Sequence, residues 1–207
     1  MQFSESLLSL SARAEAELAV HFAHIDRISY ANTARVMDAF REHRVAMTNF
    51  DGPGGYGYDD RGREVLDRIY ADVFGAQAAF VRHQIVNGTQ ALTIGLFGLL
   101  RPGDIMLSVA GKPYDTLEEV IGMHGANGDG SLADFGVSYR QTELTDDGKF
   151  DFPAIGQVMS ECGERLKVVF IQRSKGYLNR KTLSVDDIGE AVRFVKARSP
   201  QTYVVVD

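Results

Sequence analysis

Cysteine is almost missing from this chain: Cys162 stands alone in 207 residues. A single cysteine excludes an internal disulfide and every metal site built on several thiolates, so Cys162 reads as a small apolar side chain. Positive charge is also scarce, with 22 Lys and Arg against 28 Asp and Glu and a formal net charge of -6. The basic residues are scattered, which leaves no footprint for a nucleic-acid partner. No apolar run approaches the roughly 20 residues that cross a bilayer. Met1-Gln2-Phe3-Ser4-Glu5-Ser6 has neither the basic start nor the apolar core of a signal peptide. The expectation is a cytoplasmic protein with no membrane partner.

Several chemical motifs are missing as well. No Gly-x-Ser-x-Gly elbow presents a serine nucleophile. Gly55-Tyr56-Gly57 follows no strand and has Asp60 where a dinucleotide fingerprint needs its third glycine. Gly111-Lys112 resembles the end of a phosphate-binding loop, but Pro113 replaces the Ser or Thr and Met106 the first glycine. His21 with His24, and Asp59 with Asp60, are pairs without the further ligands a metal requires.

What is present is a good deal of core: 44% of the side chains are hydrophobic, enough for one large domain without staples. The spacing predicts two helices, from about Ser6 to Ala23 and from about Ser29 to Val45. A loop from Asn49 to Asp60, dense in Gly and Pro, closes this arm (residues 1–60) and leads into an α/β cofactor-binding domain over residues 61–207. Arg63 to Phe74 reads as a helix stopped by Gly75. Beyond it, strands predicted at Ala78–Gln84, Asp104–Val109, Val137–Thr142, Lys167–Gln172 and Tyr203–Val206 alternate with helices at Thr89–Leu100, Pro113–Met123, Phe152–Cys162 and Ser184–Ala197. Short apolar strands separated by helices imply a mostly parallel sheet with helices on both faces.

In such sheets ligands bind outside the carboxyl ends of the strands. The residues expected there are Gly88 and Thr89 at a strand-to-helix turn, Tyr114, the polar run Gln172 to Lys175, and Asp207 after the last β-branched run. Gly88-Thr89 at a helix start offers free N–H groups and a positive dipole end to an anion, although a tight turn capped by Thr89 has the same sequence. Ser174 faces the same edge, or serves only to satisfy loop backbone. An anion cup, an aromatic face and a carboxylate suit a flat, phosphorylated heteroaromatic ring with a protonated nitrogen, a description that fits pyridoxal phosphate.

Taken as blocks in order, Gly55 to Arg63, Arg82 to Thr89, Leu107 to Val120, Gln172 to Tyr177 and the closing strand with Asp207 resemble the methionine γ-lyase-like proteins. These are pyridoxal-phosphate enzymes of the aspartate-aminotransferase-like fold, often labelled aluminium-resistance proteins or cystathionine β-lyases. The resemblance implies that the backbone of Gly88 and Thr89, with Gln90, holds the cofactor phosphate, that Tyr114 stacks on its ring, and that Asp207 pairs with the pyridine nitrogen. Ser174 is expected at the same cofactor.

It further implies a Tyr and an Arg reaching the phosphate from a neighbouring subunit. Tyr56 or Tyr58, with Arg61, look like their counterparts, spaced differently from the Tyr-x-Arg of the relatives. The implied assembly is a homodimer or homotetramer. The implied activity is β- or γ-elimination on a sulfur-containing amino acid such as cystathionine, methionine or cysteine. The Schiff-base lysine of the family lies beyond the aspartate, in a Ser-x-x-Lys-like block. No catalytic residue is therefore assigned here, and the chain is expected to be an inactive fragment of an enzyme about twice as long. Aldol cleavage or transamination on the same scaffold, a non-catalytic binding or assembly module, and a nucleotide-binding domain are the alternatives.

Overall fold

From Ser4 to Asp51 the chain holds neither glycine nor proline, and nothing in that stretch forces a helix to stop. A computed structural model, which describes residues 3–52, 60–125 and 128–207, accordingly has one helix, α1 (Glu5–Glu42), where two were expected. Its 38 residues span about 57 Å at 1.5 Å per residue. The Ser4 side chain accepts from the Leu7 N–H at its start, and the helix ends where Arg44 enters the left-handed region at φ 49°. Helix α2 (Arg61–Phe74) follows, capped by Asp60 and stopped by Gly75 at φ 63°, a conformation that glycine adopts without a Cβ penalty.

The strand expected at Ala78–Gln84 is absent: these described residues form no ladder. Asp67 of α2 supplies their acceptor instead, taking the Val81 N–H and an Arg82 guanidinium N–H, each at 2.7 Å. A side-chain carboxylate thus does what a neighbouring strand would have done, and apolar content alone did not reveal it.

Contacts divide the chain into two units, Met1–Gln84 and Ile85–Asp207. The second unit contains α3 (Gly88–Leu99), β1 (Ile105–Ser108), α4 (Asp115–Ile121), β2 (Ser138–Gln141), α5 (Phe152–Cys162), β3 (Leu166–Ile171), α6 (Val185–Arg198) and β4 (Tyr203–Val206). The four strands form one sheet in the order β2-β1-β3-β4, parallel throughout. The α/β class with helices on both faces is therefore the observed one.

Alternation along the central strands builds both faces. Ile105, Leu107, Val169 and Ile171 pack with Ile155 and Met159 of α5 and Ala191 and Val195 of α6. Met106, Val168 and Phe170 pack with Leu96 of α3 and Leu117 and Ile121 of α4. Because both faces are covered, β1 and β3 are continuous apolar runs, and the outer strands β2 and β4 are only partly buried. Cys162 is free and buried among the residues of the first of these faces.

The strand order has a consequence for ligands. From β1 the chain moves outward to β2, then crosses back to β3 and on to β4. The connections diverge between β1 and β3, which makes the carboxyl ends of those two strands the crevice of this sheet.

Candidate cofactor site at the sheet edge

Two loops flank that crevice. The one after β1 runs from Val109 to Tyr114, and the one after β3 starts at Gln172. Gln172 is 4% exposed; its Oε1 accepts the Tyr114 N–H at 2.6 Å, and its Nε2 donates to the Ser174 carbonyl at 3.4 Å. One buried amide therefore joins the two loops. The ring of Tyr177 lies against that of Tyr114 with centroids 5.7 Å apart and planes 28° from parallel, within the range of offset stacking. Lys112, Tyr114, Gln172, Lys175 and Tyr177 help line a cleft of about 180 Å³ at this point.

The helix start at Gly88 belongs to the same edge. Asn87, extended at φ -157°, caps α3 by accepting the Gln90 N–H at 2.8 Å. This leaves the N–H groups of Gly88 and Thr89 without intrahelical partners, next to a space where, chain neighbours and the helix's own backbone aside, no atom lies within 4 Å of the position a Gly88 Cβ would take. The Gln90 side chain accepts the Val86 N–H at 2.8 Å, so both its amide and its side chain already have local partners. Thr89 Oγ1 lies 3.0 Å from Thr116 Oγ1 in the first turn of α4. Tyr114 is the N-cap of that helix, and the anion cup and the aromatic residue are thereby held together.

Asp207 extends the ladder past β4: its N–H donates to Ile171 O at 2.9 Å, and its carbonyl accepts the Arg173 N–H at 2.8 Å. Its carboxyl, held beside the end of β3, is pushed up by partial burial, because desolvation disfavours the charged form. A cationic ring nitrogen against it would act in the opposite direction. Ser174, exposed, uses its carbonyl to accept from Arg180 Nη2 at 2.7 Å as well as from Gln172.

Among the lysines of the loops after β1 and β3, Lys112 pairs with the buried Glu118, Nζ to Oε1 at 2.8 Å, and Lys175 and Lys181 are exposed. Arg61 is the exposed first residue of α2 in the first unit. Tyr56 and Tyr58 lie outside the described residues. Sequence reasoning passed over Asn87, Thr116 and Arg180. Asn87 carried a readable cap signal, whereas Thr116 acts across 27 residues and Arg180 through backbone carbonyls of an irregular turn six and eight residues back, which no local pattern encodes.

The family model for methionine gamma-lyase matches residues 7–207. The chain belongs to that family. Among relatives, the uncharacterized protein YnbB of Bacillus subtilis is 46% identical over 203 residues, covering 98% of this chain and 48% of its own length. Two solved structures superpose with a TM-score of 0.92 at 41% identity, each over 99% of this chain. One is described as a candidate cystathionine beta-lyase involved in aluminium resistance from Listeria innocua, covered over 49% of its length. The other is a carbon-sulfur lyase involved in aluminium resistance from Clostridium novyi NT, covered over 48%. The chain thus spans about half the length of these methionine gamma-lyase family relatives. No helix among the described residues is long and apolar enough to cross a membrane.

Proposed function

We propose that this chain is the cofactor-holding half of a pyridoxal-phosphate-dependent carbon–sulfur lyase that acts on a sulfur-containing amino acid by β- or γ-elimination. The observation that carries the reading is the convergence at one sheet edge of a helix start with free N–H groups, an aromatic ring tied to the end of β3, and a carboxylate one strand further along. When bound, the cofactor supplies an electron sink for the pair left at the substrate α-carbon.

The residues present fit the non-covalent part of that group. The N–H groups of Gly88 and Thr89 receive the phosphate at a helix start, where the dipole favours an anion. Tyr114 orients the ring by stacking, and Asp207 holds the proton on the ring nitrogen, since opposite charges close together each favour the other's charged form. Ser174 supplies a hydroxyl at the same edge. The covalent lysine is not among these residues, and Lys112 is occupied by Glu118. In the proposed enzyme that lysine comes from sequence following Asp207. Either Tyr56 or Tyr58, with Arg61, completes the phosphate site across a homodimer or homotetramer, and the enzyme is cytoplasmic.

The test is product analysis with the full-length protein supplied with pyridoxal phosphate and offered cystathionine, cysteine and methionine. Release of a 2-oxo acid and ammonium is expected, with a thiol from cystathionine or methionine and hydrogen sulfide from cysteine. Aldol or amino-transfer products would move the assignment to another reaction on this scaffold, and failure to bind pyridoxal phosphate would remove the cofactor reading itself.

A further inference from the structure

Arg180 is a half-buried cation whose described contacts are all backbone carbonyls. Its Nη2 donates to Gln172 O at 3.2 Å and Ser174 O at 2.7 Å, and its Nη1 to Lys181 O at 3.0 Å. Its Nε is buried with no hydrogen-bond partner among the described residues. Placing a guanidinium there without a carboxylate is costly, and burial alone pushes its pKa down, although arginine stays charged at neutral pH.

The geometry repays that cost in one place, the turn that follows β3. Arg180 clamps two carbonyls of this turn, residues 172 and 174. Between them hangs the Gln172 side chain, which accepts the Tyr114 N–H and donates to Ser174 O. Gly176, at φ +53°, brings the turn so near the Tyr114 ring that an added Cβ would lie 3.2 Å from Cδ2. One nitrogen, Nη2, serves both of these carbonyls while Nη1 holds a third at residue 181, so a single planar group fixes three acceptors at once, which the point charge of an ammonium does not reproduce.

We propose that Arg180, acting through Gln172, is a positioning residue that fixes Tyr114 in the orientation in which it meets the flat cofactor. The inference rests on the reading of Tyr114 as the ring-stacking residue. In this scheme Arg180 touches neither cofactor nor substrate. Its loss frees the turn, and the cost of releasing the Gln172 and Ser174 carbonyls falls on the orientation of the Tyr114 ring.

The experiment uses the full-length protein and pyridoxal phosphate itself, titrated by absorbance, with the induced circular dichroism of the cofactor band as the report on ring orientation. Arg180→Lys is expected to weaken binding roughly tenfold, the scale of one lost hydrogen bond from a charged donor, and to diminish the induced band while the melting temperature changes little. Tyr114→Ala is expected to weaken binding too, and adding Arg180→Lys to it is expected to change nothing more, because both act through one ring.

Additive losses in the double variant overturn the inference, as does wild-type binding by Arg180→Lys or an effect of Arg180→Lys without one of Tyr114→Ala. If Arg180→Lys fails to fold, Gln172→Asn, which withdraws the acceptor from the Tyr114 N–H, is read by the same cycle. A wild-type protein that binds no pyridoxal phosphate sinks the proposed function together with the inference. A wild-type protein that binds it, with additive losses, sinks the inference alone.

Discussion

In α1, Leu18, Phe22, Ile25 and Ile28 recur at helical spacing and remain 44%, 45%, 58% and 49% exposed; in β3, Val168, Val169 and Phe170 are at 0%. The side chains are equally apolar and the outcomes are opposite. In the second unit each apolar face of the sheet finds its own cover within the unit, α3 and α4 on one side and α5 and α6 on the other. In α1 only Ala39 is buried. A helix forms there because Ala, Leu, Glu and Arg favour it and no Gly or Pro interrupts it, yet most helical stability in proteins comes from packing an apolar stripe. The lesson is that local propensity made α1, whereas tertiary burial made the sheet.

The strongest way to break this contrast is to remove the largest fully buried side chain. Phe170→Ala is expected to lower the unfolding free energy by about 3–5 kcal/mol, the usual cost of a phenyl-sized cavity. Urea denaturation would show it as a lower midpoint at unchanged slope. A loss below about 1 kcal/mol would mean that the sheet unit is loosely packed and no different from the arm.

A smaller effect comes from the helix starts that make the cover. Asp151 caps α5, its Oδ1 accepting the Ala154 N–H at 3.0 Å, with Pro153 in the first turn. Asp151→Ala is expected to cost about 1 kcal/mol, read by the same denaturation midpoint. No loss at all would show that α5 is held by its apolar face alone.

Asp134 sharpens the comparison through pH. Its carboxylate accepts the N–H groups of Gly128, Gly130 and Ser131 at 2.8, 2.7 and 3.2 Å. Led by the bond from Gly128, these hold its pKa down at about 2 against an ordinary 3.8. A depressed carboxylate stabilises the fold above its unfolded pKa, and that share is lost as pH falls from 3.8 toward 2. Wild type is therefore expected to exceed Asp134→Asn in melting temperature at pH 6, with the gap closing between pH 4 and about 2. A gap that does not change with pH would mean that the loop is held by something other than the charge.

Much of this contrast was readable in the residues. Ile105–Ser108 and Leu166–Ile171 are short apolar runs bounded by turns, and they became the buried central strands. Ser184 and Asp187, three apart, became the reciprocal cap of α6. Gly88-Thr89 and Tyr114 were placed at one edge by the alternation of elements, before any contact between them was known. What stayed hidden depended on partners distant in sequence. The apolar stretch at Ala78–Gln84 looked like a strand because its acceptor, Asp67, lies on a preceding helix. Thr89 meets Thr116 across 27 residues, and Tyr114 meets Gln172 across 58. The continuity of α1 was missed for another reason: the helical spacing reads as two runs, about Ser6 to Ala23 and about Ser29 to Val45, although no Gly or Pro stands between them.

The smallest expected effect falls on the arm itself. Ile25 is 58% exposed on α1, so Ile25→Ser is expected to change the stability of this 207-residue chain by no more than about 0.5 kcal/mol, the range of surface substitutions. Helix propensity differs little between Ile and Ser, which leaves burial as the quantity being read. The same substitution in the full-length protein is the sharper measurement. A stripe of apolar side chains along one helix is characteristic of a surface that another element covers. If sequence following Asp207 or a second subunit covers it, Ile25→Ser lowers the midpoint there by more than it does in the short chain. Equal and negligible changes in both would show that α1 stands as a solvated helix. The difference between arm and sheet would then hold beyond these 207 residues.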